Sequence, residues 1–299
     1  MKKSEITNVN KDLGGLENNL IIIYPDKKYQ EILGFGGAFT EAAGYSLSKL
    51  NTSLQDELIK DYFSEQGLNY TLCRTHINSC DFCLDTYAYS NNESLSDFSI
   101  DRDKKYIIPM IKSALKINPN INLIATPWSP PAFMKDSNNM KKGGKLLEKY
   151  KSLWADYIVK YLQEYKKQNI NIKYMTIQNE PNAAQPWESC KYTASEEKDI
   201  IKDHIFPTFK KNDIETKLLI WDHNKECVYD RANKILSNER VNKRVWAIAH
   251  HWYSGDHFEQ LRMFKEKYPD KKLIFTEGCI EKWKYKTPVK NAETYAHDI

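Results

Sequence analysis

Tyr174-Met175-Thr176-Ile177-Gln178-Asn179-Glu180-Pro181 is the stretch on which the fold turns. A short apolar run ends in an amide, a carboxylate and a proline. Proline has no N–H to give a ladder, so it stops the strand and leaves Glu180 at its rim. The ending recurs in Leu273-Ile274-Phe275-Thr276-Glu277-Gly278, where the glycine lets the chain turn just after the carboxylate. A carboxylate at the end of a buried strand loses hydration unless something uses it. Working outward, five more runs of this kind appear: Gly34–Thr40, Tyr70–Ile77, Leu123–Trp128, Leu218–Trp221 and Val245–Trp252. All are short and mostly non-alternating, the pattern of strands buried on both faces.

Helical patterns lie between the runs. Ser53–Phe63 follows the capping types Asn51-Thr52, and Arg102–Lys116 carries Ile107, Ile108, Ile111 and Leu115 on one face. Leu146–Gln168 has a long stripe through Tyr150, Trp154, Tyr157, Ile158, Tyr161 and Leu162. Ser195–Lys211 opens on Ser195 with Lys198 three residues on, so it lacks a full capping box. Asp230–Ser237 and Asp256–Tyr268 follow the later strands, and a further helix begins near Ala292. Strand and helix in strict alternation predict an α/β fold with a parallel sheet. A dinucleotide-binding open sheet would carry G-x-G-x-x-G after its first strand, but Gly34-Phe35-Gly36-Gly37 lacks the third glycine and no Walker motif occurs. Polar and aromatic residues instead crowd the C-terminal ends of nearly all strands: Arg74 and His76, Trp128, Asn179-Glu180, Asp222-His223, His251 and Tyr253, and Glu277. A TIM (β/α)8-type barrel brings all those ends to one mouth.

Composition removes other classes. Aromatic residues make up 12% of the 299 residues, too many for a disordered chain. The longest aliphatic run, Leu20–Ile23, is far short of a transmembrane segment. The net charge of +4 is spread over lysine pairs interleaved with acids, which argues against nucleic acid as a partner. No apolar core follows the basic Met1-Lys2-Lys3, so a cytoplasmic protein is expected. Cys80-Asp81-Phe82-Cys83 matches C-x-x-C, but one pair alone is a weak metal signal, and the six cysteines read as reduced thiols.

Two carboxylates flanking one bond, one as acid and one as nucleophile, are the machinery of glycoside hydrolysis. Glu180 and Glu277, on the fourth and seventh runs, can face each other across a barrel mouth. Asn179 offers an amide to a sugar hydroxyl, and Trp128, Trp252 and Tyr253 offer flat faces to sugar rings. A competing metal-dependent hydrolase would draw on Asp222, His223, His250 and His251. Adjacent strand residues point to opposite faces, so His250 and His251 cannot both enter one site.

With those residues in view, the chain resembles glycoside hydrolase family 30, the retaining β-glycosidases that include lysosomal glucosylceramidase. The matching stretches are Gly34 to Ala43, Tyr62 to Gly67, Arg74 with Ser79-Cys80-Asp81-Phe82, Pro127 to Pro131, Asn179-Glu180-Pro181, His251-Trp252-Tyr253 and Thr276 to Cys279. They run in the family's order. The resemblance implies that Glu180 is the general acid/base and Glu277 the nucleophile of a double displacement on a β-glucoside or glucosylceramide-like glycolipid. It implies that Arg74, Asp81, Trp128, Asn179, His251 and Tyr253 line the sugar subsite, with Arg74 and Tyr253 orienting the nucleophile. Glu180 is expected to have a raised pKa beside Glu277. No metal or organic cofactor is implied. The polar stretch of residues 1–19 reads as a flexible tail; the resemblance makes 20–33 a strand segment that joins a side β-domain and 34–299 a catalytic barrel. That barrel has seven strands of eight, and most of the family's β-sandwich is absent. A non-catalytic carbohydrate-binding remnant is the alternative.

Overall fold

Parallel neighbours cannot be joined by a tight turn, so each apolar run needs a crossover. A computed structural model, which describes residues 24–281 and 287–298, provides one after each of the first six strands. The strands are β1 (Ala38–Phe39), β2 (Leu72–Ile77), β3 (Asn122–Pro127), β4 (Ile172–Thr176), β5 (Lys217–Asn224), β6 (Val245–His251) and β7 (Lys272–Glu277). They form one all-parallel sheet in chain order, each pairing with its sequence neighbours. The sheet curls strongly. Arg74 of β2 lies 2.6 Å from Glu277 of β7, whereas a flat sheet would hold strands five positions apart at roughly 24 Å. The architecture is that of a TIM barrel, with seven strands. Among the described residues β1 pairs only with β2 and β7 only with β6.

The chain divides into two units, residues 1–33 and 34–299. Of the first, residues 24–33 hold a turn closed by Lys27 N–H on the Tyr24 carbonyl, and no strand. The proposed tail and the Leu20–Ile23 run lie outside the described residues.

Within the second unit the first strand is much shorter than Gly34–Thr40. A Cβ on Gly36 would lie 1.7 Å from the Leu72 carbonyl oxygen, so the glycines bring the backbone against β2 before any ladder begins. The chain next enters a helix absent from the sequence reading, Glu41–Leu47, capped by Thr40 through its bond from Ala43 N–H. The helix expected from Ser195 begins earlier. Thr193 is its cap and Glu196 reaches back, a complete capping box where Ser195 and Lys198 offered none. It then passes through a π-helical segment, Ile201–Ile205, just before Pro207, a residue that cannot donate to the preceding turn. The core lies between sheet and helices. The Lys151–Lys167 helix buries Trp154, Tyr157, Tyr161 and Tyr165. Asp103 is buried beneath it, satisfied by hydroxyls of Tyr87, Tyr89 and Tyr165 at 2.9, 2.6 and 2.6 Å. Among the described residues no helix is long and apolar enough to cross a membrane.

Candidate active site

The C-terminal ends of β2 to β7 converge on a buried network of charges. Arg74 is its centre: Nη1 donates to Glu277 Oε2 at 2.6 Å, Nη2 to Asn179 Oδ1 at 2.7 Å and to Asp222 Oδ2 at 2.9 Å, and Nε to Thr126 Oγ1 at 3.1 Å. Its guanidinium also lies 4.6 Å over the buried Trp128 ring, covering that face. The Tyr253 hydroxyl donates to the other oxygen of Glu277 at 3.0 Å. Both oxygens of Glu277 are thus fixed from opposite sides, and its side chain stays 21% exposed to the mouth.

Glu180 accepts from Gln185 Nε2 at 2.7 Å and faces His251 Nδ1 at 3.6 Å and His223 Nε2 at 3.9 Å. One oxygen of Glu180, one of Glu277 and a His251 nitrogen all lie within 4.8 Å of one another. Asp81 looks onto the same space from the β2 loop. Desolvation and then the charges of Glu277 and Glu180 push its carboxyl up to about 6. Six predicted binding residues, Arg74, Asp81, Trp128, Asn179, His251 and Tyr253, therefore gather around the two glutamates.

Residues outside that set complete the network. Asp222 is fully buried and takes Arg74, His251 Nε2 at 3.1 Å and the Thr276 hydroxyl at 2.6 Å. Burial alone would raise its carboxyl, but Arg74 and His251 hold it well below the usual carboxylate range. Its position at the end of an apolar run was the available signal. Gln185 sits in a loop with no pattern to single it out. His250 stacks on Phe275 instead of joining His251, as strand alternation predicts. A cation between Glu180, His251 and Glu277 is disfavoured, because Arg74 already holds positive charge 2.6 Å from Glu277.

The expectation of a raised pKa on Glu180 is not met. Burial pushes this carboxyl up, yet the nearby charge of His251, the Gln185 amide and the charge of His223 outweigh it and hold it below its ordinary value. Burial likewise opposes charge on His251, but Glu277, Asp222 and Glu180 lift it to about 9. These opposite shifts place the proton on the imidazole rather than on Glu180.

The backbone is bent to make this cluster. Glu180, Trp221 and Asp222 have φ of +46°, +74° and +59°, conformations that cost non-glycine residues about 1–3 kcal/mol each. Glu180 N–H bonds the Asp222 carbonyl at 2.9 Å and Asn179 N–H the Pro127 carbonyl at 2.9 Å, so β3, β4 and β5 hold one another at the rim.

The profile of the glycosyl hydrolase family 30 TIM-barrel domain matches residues 32–299. A putative glucosylceramidase of Caenorhabditis elegans is 33% identical over 94% of this chain and 58% of its own length. The crystal structure of SrfJ from Salmonella typhimurium superposes with a TM-score of 0.87 at 40% identity, over 90% of this chain and 62% of that one. An endo-β1,6-glucanase structure does so with a TM-score of 0.82 at 30% identity, over 87% and 60%. The chain thus spans less than two thirds of each of these proteins.

Proposed function

Because the chain belongs to glycoside hydrolase family 30, we propose that it cleaves a β-glucosidic bond with retention of configuration, Glu277 acting as nucleophile and Glu180 as acid/base. The observation that carries this reading is the separation of the carboxylates, whose nearest oxygens lie within 4.8 Å. A retaining pair stands about 5–5.5 Å apart, whereas an inverting pair leaves about 6.5–9.5 Å for a water.

Arg74 and Tyr253 aim Glu277 at the anomeric carbon. Its attack forms a glycosyl ester as the leaving oxygen takes a proton from Glu180. The proton reaches Glu180 from His251, 3.6 Å away, once the sugar displaces water and disfavours two adjacent anions. Ester formation then neutralises Glu277, which leaves Glu180 as the base that activates water. Asp81 and Asn179 accept and donate hydrogen bonds at sugar hydroxyls. The names of the relatives support a β-glucoside, either a glucosylceramide-like glycolipid or a β-1,6-linked glucan.

The test is hydrolysis of 4-nitrophenyl β-glucoside. Glu277→Ala is expected to lose turnover by at least about 10³-fold. Glu180→Ala should regain part of its activity with azide, which attacks the glycosyl ester without a base. Full activity of Glu277→Ala overturns the assignment. Glycan affinity without hydrolysis by the unaltered chain would instead identify a binding remnant.

A further inference from the structure

The C-x-x-C segment at the end of β2 is not used by the chemistry above. Cys83 N–H bonds the Cys80 carbonyl at 3.0 Å, so Cys80-Asp81-Phe82-Cys83 is a closed turn, and the two Sγ atoms lie 3.7 Å apart. The Cys80 N–H also points at Cys83 Sγ, at 3.3 Å. Cys80 is buried and Cys83 half-buried, so one sulfur is reachable by a small molecule and the other waits behind it. The geometry points to a reversible thiol-oxidation site: Cys80 and Cys83 form a disulfide that closes the turn around Asp81 and withdraws this residue from the sugar subsite.

The chemistry of the pair suits the reaction. The Cys80 thiol and the Cys80 N–H, against the effect of burial, hold the Cys83 thiol below its ordinary value, while burial pushes the Cys80 thiol up. The nucleophile and the resolving thiol are thereby distinguished. With a hydroperoxide as oxidant, the Cys83 thiolate attacks the terminal oxygen, the O–O bond breaks, and the released alkoxide takes a proton to become an alcohol. Cys80 sulfur then attacks the sulfenic acid on Cys83, gives up its proton and expels water. Two thiols lose two electrons and two protons, and ROOH becomes ROH and water.

A metal is the competing occupant, since His76 Nε2 lies 3.6 Å from Cys83 Sγ. The Nδ1 atom of His76 donates to the Asn78 carbonyl at 2.6 Å, and Nε2 accepts the Glu41 N–H at 3.3 Å. The lone pair a cation needs is already taken, and three donors fall short of the four of a structural zinc.

Disulfide formation must bring the sulfurs to about 2.05 Å. The C-terminal side of the turn cannot absorb this. Ala42 N–H holds the Phe82 carbonyl at 3.0 Å and Glu41 holds Leu84 N–H at 2.8 Å. The displacement therefore falls on Asp81. The effect on activity rests on the glycosidase reading, whereas the covalent step stands by itself.

The experiment oxidises the 299-residue chain with hydrogen peroxide and digests it with trypsin. Both cysteines fall in the peptide Thr75–Arg102, which has no other cysteine. The expected result is a peptide lighter by about 2 Da, restored by dithiothreitol, with hydrolysis of 4-nitrophenyl β-glucoside falling about tenfold and recovering on reduction. Cys83→Ser should keep its activity through the same treatment. A peptide that gains oxygen instead, or thiols protected by one equivalent of added zinc, overturns the site. A peptide that loses 2 Da with unchanged turnover overturns the role of Asp81. Absence of turnover in the reduced chain counts against the glycosidase reading alone, and the lighter peptide then still establishes the site.

Discussion

At Glu180 the strain and the charge have one origin. A φ of +46° aims the side chain from the end of β4 toward His251, and the Glu180 N–H on the Asp222 carbonyl holds it there. Such a turn was legible in Asn179-Glu180-Pro181 only as the end of a strand. The direction of the Glu180 shift was not legible, because it depends on a histidine brought in from β6. That histidine gives the site its pH dependence. His251 rises from 6.5 to about 9 on folding, so its stabilising contribution is complete below about pH 6.5 and is lost as the pH climbs toward 9. Asp222 is depressed, so its contribution holds above about pH 4 and is lost in acid. The melting temperature should therefore fall between pH 6.5 and 9. In His251→Gln that fall should be shallower, as differential scanning calorimetry across the range would register. An unchanged slope would remove the charge from His251.

Elements were read well where one physical cause decided them. The seven strand positions follow from apolar runs that need burial on both faces, and the structure has a strand at each. Ends were read less well, because they depend on single contacts. Gly36 against Leu72 cuts the first strand to two residues. In β5 the left-handed Trp221 and Asp222 and a register shift carry the strand on to Asn224, beyond the Leu218–Trp221 run. The capping box is the sharpest case. Thr193→Ala should destabilise the chain by about 1 kcal/mol and lower Tm by roughly 2 °C. Ser195→Ala, the position the sequence suggested, should leave Tm unchanged. Equal effects from both would show that the helix does not begin at Thr193.

Across the molecule, the curled sheet turns six strand ends into one site, and it does so unevenly. β5 and β6 are buried along most of their length, whereas β7, which carries Glu277, is mostly half-buried and pairs on one side only among the described residues. Its opening should be easier. Native-state hydrogen exchange should find the amides of Lys272–Glu277 exchanging roughly tenfold or more faster than those of Leu218–Trp221. Equal protection would mean that β7 is braced as firmly as the centre. The sequence by itself determined the α/β alternation, the parallel sheet and the strand-end places of Glu180 and Glu277, because apolar runs, capping residues and strand-stopping proline act over a few neighbouring positions. Only the tertiary structure decided which charges meet. Arg74 as the hub, Asp222 behind it and the proton on His251 rather than Glu180 all arise from residues far apart in the chain. Burial there strips away water, so the strength of each charge is set by its partners across the barrel and not by its place in the sequence.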